Sequence, residues 1–93
     1  MTRYQKVLWH HAFPDEPAEL YSEIERGLEV RKVEVYRDGR CDYADGSRSR
    51  GTTVLGQEIM PSMDEINEDT EFSASTINAE EFEAVWRRAT RSD

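Results

Sequence analysis

Ninety-three residues leave room for one hydrophobic core and no second one, and with 37% hydrophobic against 34% charged residues that core is small. Two Trp, four Tyr and three Phe, set in periodic segments, exclude a disordered chain. The formal charge of −8 disfavours nucleic acid and anionic lipid as partners, and a lone cysteine, Cys41, excludes an intramolecular disulfide framework or a cysteine zinc cluster.

No apolar run approaches the roughly 18 residues of a membrane span, and Val7-Leu8-Trp9 is too short for a signal-peptide core. The expectation is a single cytoplasmic domain over residues 1–93, away from membranes.

Residues 4–12 are predicted as the first strand, with Val7, Trp9 and His11 on one face and Leu8 and His10 on the other. Phe13 to Pro17 is a turn, because its two prolines have no N–H to give a ladder. Leu20, Ser22 and Ile24 then share one side of an alternating segment. A strand and a short helix both fit 17–26, and the strand is preferred because Gly27 and the next strand follow so closely.

Glu29 to Ala44 is a hairpin turning at Asp38-Gly39. A two-residue loop would bring Asp42 opposite Val35. A three-residue loop with left-handed Gly39 pairs Val35 with Cys41 and Val33 with Tyr43, grouping four apolar side chains, and is therefore expected. Cys41 should then be an inward, unreactive thiol. Asp45 to Thr52 reads as a mobile loop and Thr53 to Leu55 as a short strand.

Ser62 and Glu65 have capping-box spacing, predicting a short helix through Ile66 or Asn67. Glu71 to Ile77 is the next strand. Asn78 and Glu81 form a second capping box, and Phe82, Val85, Trp86 and Ala89 make the apolar stripe of a C-terminal helix with acids at its start and arginines at its end. The predicted fold class is α+β: an antiparallel sheet of four to six strands with the C-terminal helix packed on one face.

Between Arg50 and Arg87 there is no lysine or arginine but nine acids. Glu65 and Glu81 belong to caps, and Glu80 and Glu83 suit a helix start. The remainder, Glu58, Asp64, Glu68, Asp69 and Glu71, is the candidate docking surface for a basic protein; a solvated face that keeps the domain soluble explains the same charge. Arg31, Arg37, Arg48 and Arg50 with Tyr36 and Tyr43 are the best basic patch, against which the net charge works.

No metal and no cofactor are expected. Adjacent His10 and His11 point to opposite faces of a strand, and Asp64 to Glu71 lacks the sixth-position glycine and the late glutamate of a calcium loop. His10, His11, Asp15 and Glu16 are the best acid–base cluster. No phosphate loop or nucleophile elbow accompanies them.

Three functional readings follow. The leading one is a non-enzymatic module that binds a basic protein, by analogy of charge and size with the small acidic immunity proteins that neutralise basic nuclease toxins. The second is a small enzyme or ligand binder using the His10/His11/Asp15/Glu16 cluster; the third is a homo-oligomeric structural module.

The segments from Leu8 to Pro17, Glu29 to Arg40 and Ala79 to Trp86 resemble a family of small bacterial proteins known as a domain of unknown function, DUF6881. Trp9-His10-His11 and Arg37-Asp38-Gly39-Arg40 are the most specific pieces. The resemblance implies a stand-alone domain in a bacterial cytoplasm and carries over no activity, ligand or catalytic residue.

Overall fold

The structure, a computed structural model, describes residues 1–91; the last two residues of the expected 1–93 domain lie outside the described residues. Six antiparallel strands, β1 (Thr2–Trp9), β2 (Glu19–Glu25), β3 (Leu28–Val35), β4 (Cys41–Ala44), β5 (Ser49–Arg50) and β6 (Phe72–Ile77), lie in the order β5-β4-β3-β2-β1-β6. Two helices, α1 (Met63–Glu68) and α2 (Ala79–Thr90), complete an α+β fold with α2 packed on one sheet face.

Local chemistry sets the turns. Arg26 and Gly27 both have positive φ, 54° and 82°, and close β2 onto β3 in a two-residue loop whose twist matches the strands. This settles the 17–26 segment as a strand rather than a helix, over Glu19–Glu25. In the β3–β4 hairpin Gly39, at φ 91°, lets the loop bulge, and Val35 pairs with Cys41 and Val33 with Tyr43 as expected.

Those four side chains meet Phe82, Val85, Trp86 and Ala89 of α2 in the core, with Ile77 beside them and Tyr4 and Tyr21 at its margin. Phe82 and Ala89 are wholly buried. The helix begins as predicted: Asn78 accepts from the Glu81 N–H, and the Glu81 carboxylate returns to the Asn78 N–H. Arg31 lies over the Phe82 and Trp86 rings at 4.9 and 5.0 Å. Its guanidinium donates to Glu23 and, through both terminal nitrogens, to Glu83. That bonding holds the Glu83 carboxyl below its ordinary value. Burial pushes the Cys41 thiol up, in keeping with an unreactive role.

Several boundaries differ from the sequence reading. β1 runs over 2–9 rather than 4–12, because His10 onward turns toward the two prolines. The loop read as mobile contains β5, whose Arg50 pairs with Tyr43. Arg50 also donates to the backbone oxygens of Cys41 and Ala89, tying the sheet to the helix end. Thr53 to Leu55 is not a strand: the Thr53 hydroxyl donates to Glu34 on β3 and the segment joins no ladder. α1 reaches Glu68, and only half of its cap matches expectation. Ser62 Oγ accepts from the Glu65 N–H, but the Glu65 carboxylate takes the Ser62 hydroxyl rather than a backbone N–H.

A candidate binding cleft on the second sheet face

Alternation sends Gln5 and Val7 of β1, Leu20, Ser22 and Ile24 of β2, and Lys32 and Glu34 of β3 to the face away from α2. A register shift between Glu23 and Ile24 brings Glu29 opposite Ile24, onto this same face. The face is thus half polar yet covered, and two of its carboxylates, Glu29 and Glu34, hold the cover. Residues 51–61 cross it as a strap. The Thr53 hydroxyl donates to Glu34, the Gly56 N–H donates to Glu29 Oε1 at 2.8 Å, and the Met60 N–H donates to the Gly27 carbonyl at 2.7 Å.

Glu29 is the pivot. It is buried, and a buried carboxylate needs partners to offset its lost hydration. It has three: the Ser22 hydroxyl at 2.7 Å, the Gly56 N–H, and the Lys32 ammonium at 3.9 Å. Gly56 suits this approach, since a Cβ there would stand 3.0 Å from the carboxylate oxygen and the Glu29 side chain would have to give way slightly.

Between sheet, strap and α1 lies a cleft of about 640 Å³. Val7, Leu20, Ile59, Ile66 and Phe72 give it apolar walls, and Gln5, Ser22, Glu29 and Lys32 give it a polar strip. Three exposed acids, Glu58, Glu65 and Asp69, also line it. Lys32 is the one cation in that lining, and it is already beside Glu29. The cleft therefore combines apolar surface with excess negative charge at its rim.

The five acids singled out from the sequence divide. Glu58 and Asp69 line the cleft. Asp64 and Glu68 are exposed on α1. Glu71 accepts from the Trp9 indole N–H at 2.9 Å. Glu65, set aside in the sequence as a capping residue, belongs with the first pair. Glu29, Lys32, Gln5 and Ser22 were not picked out. The signal available for them was polar side chains at strand positions whose neighbours alternate into a core, but no sequence feature announced a cover over that face.

His10 and His11 diverge. His10 Nε2 lies 2.7 Å from Ser73 Oγ, and the His10 ring is exposed. His11 is half-buried, accepts from the Phe13 N–H at Nδ1, and so carries its proton on Nε2, which donates to the Pro17 carbonyl at 2.8 Å. Its ring stands 4.3 Å from Trp9 and 5.6 Å from Phe13, in a row continued by Phe72 at 6.0 Å from Trp9. Asp15 and Glu16 are exposed in the turn. Among the described residues no hydrogen bond or ion pair joins either of them to a histidine. The cleft, and two smaller cavities, are lined by other residues.

No helix of the described residues is long and apolar enough to cross a membrane. No curated protein and no solved structure matches the chain. A family model does, over residues 3–91: the chain belongs to the family described as domain of unknown function DUF6881, as the Trp9-His10-His11 and Arg37-to-Arg40 segments implied.

Proposed function

We propose that this member of the family is a binding module for a basic protein, and that the partner inserts a lysine or arginine side chain into the cleft. One observation carries the reading: three exposed acids line an apolar-walled cleft. A lysine or arginine has an apolar stem and a charged head, so it matches both properties at once. The stem would lie against Val7, Leu20 and Phe72, and the head would meet Glu58, Glu65 and Asp69. The rest of the net charge supports the encounter by raising the on-rate for a positive surface. A basic toxin neutralised by an immunity-type partner is the kind of protein such a surface suits.

Titration of isotope-labelled protein with a lysine-rich peptide tests this by chemical-shift mapping. Shifts concentrated at Ser22, Glu29, Lys32 and residues 56–60 are expected. Shifts spread evenly over exposed acids on both faces of the sheet would contradict it.

A further inference from the structure

β6 is the last strand of the sheet, and such an edge leaves backbone groups open to another chain. Successive residues of an edge strand direct their backbone groups alternately inward and outward, and on β6 those of Phe72, Ala74 and Thr76 point out. Two of the three are covered from the α1 side. The Asn67 side-chain amide accepts from the Ala74 N–H at 2.7 Å and donates to the Ala74 carbonyl at 3.1 Å, and the Phe72 N–H donates to the Asp69 carbonyl at 3.0 Å. One side-chain amide thus makes both bonds that a neighbouring strand residue would make. α1 has no fully buried residue; besides Asn67, Met63 also meets the strand, its Sδ accepting from the Thr76 hydroxyl at 3.5 Å.

The strand beneath is unusual for this chain. Residues 72–77, Phe-Ser-Ala-Ser-Thr-Ile, carry no charge, whereas 34% of all residues do. Ser73, Ser75 and Thr76 are exposed. A two-fold antiparallel pairing centred on Ala74 sets Ala74 against Ala74, Phe72 against Thr76 and Ser73 against Ser75 of the second copy. All three outward residues then fall in hydrogen-bonded register, the Phe72 N–H exchanging its Asp69 bond for the Thr76 carbonyl of the second copy, and no like charges oppose one another.

We propose that the β6 edge is a strand-docking surface held shut by Asn67, and that its occupant when open is β6 of a second copy of this chain. An edge without charge selects an uncharged extended backbone, and β6 is itself such a segment. The surface is separate from the basic-partner reading, and its test reads mass rather than affinity for a cation.

Sedimentation equilibrium at roughly 100 μM, where mass action favours weak dimers, compares wild type, Asn67→Ala and Asn67→Ala with Ala74→Pro. The wild type is expected at the 10.8 kDa of a monomer. Asn67→Ala is expected to approach twice that mass as concentration rises. Adding Ala74→Pro is expected to restore the monomer, since it removes the central outward N–H without costing a bond to β1. A folded Asn67→Ala that stays monomeric, or a dimer that survives Ala74→Pro, overturns the proposal. If Asn67→Ala does not fold, hydrogen exchange of the wild type decides. A one-residue lock lets the Ala74 amide exchange at least about tenfold faster than the inward Ser75 amide, and equal protection overturns it.

Discussion

Arg31 joins the layers, because its guanidinium covers two α2 rings while bonding acids from β2 and α2. Glu83 is the partner with a measurable signature. Its carboxyl is held below the ordinary 4.5 chiefly by hydrogen bonding to Arg31. Its pKa is thus lower in the folded state than in the unfolded one. Its contribution is present above the unfolded value and is lost as pH falls through the folded one. Glu83→Gln is therefore expected to be less stable than wild type at about pH 7 and to lose less on acidification to about pH 3, as urea midpoints would record; parallel pH dependences would contradict this. At this scale the sequence spoke unevenly. Asn78, Glu81 and Cys41 were legible because their roles depend on near neighbours or on strand parity within one hairpin. Glu29 was not, because its burial depends on a register shift against β2 and on a strap that arrives 27 residues later.

Elements followed the same division. The β3–β4 hairpin and α2 could be read nearly whole: each has an unbroken periodic pattern and its own turn or cap chemistry. Phe82→Ala tests the stripe that α2 lays on the sheet. The side chain is wholly buried, so truncation is expected to cost about 3–5 kcal/mol in urea unfolding, a large part of a small domain's stability. A cost under about 1 kcal/mol would mean that the stripe is not the principal hold. The strap could not be read in this way. Thr53 to Leu55 has strand-forming residues but pairs with no strand, and its hold on β3 is the Thr53 hydroxyl on Glu34, followed by the Gly56 N–H on Glu29. The short β5 escaped for the opposite reason, since a serine- and glycine-rich segment gains its two paired residues only from the β4 edge beside it.

For the molecule as a whole, charge and topology act together. Acids that look like one continuous run from Glu58 to Glu83 are distributed by the fold among the strap, α1, the approach to β6 and the start of α2. Only some of them reach the cleft, and the sequence had no means of sorting them, because the cleft is formed by segments far apart in the chain. Net charge alone would attract any cation to any acidic patch, with a strong dependence on salt. A cleft that recognises a basic side chain makes a narrower claim: acids at its rim matter, and equal numbers of acids elsewhere do not. The decisive measurement is calorimetric titration of a lysine-rich peptide into two triple variants of equal net charge, at one ionic strength. One carries Glu58→Gln, Glu65→Gln and Asp69→Gln; the other carries Asp15→Gln, Glu16→Gln and Glu25→Gln. The cleft variant is expected to lose affinity by about tenfold or more, about 1.4 kcal/mol, while the other stays within about threefold of wild type. Equal losses in both variants, or a loss confined to the second, would contradict a cleft built for a basic side chain.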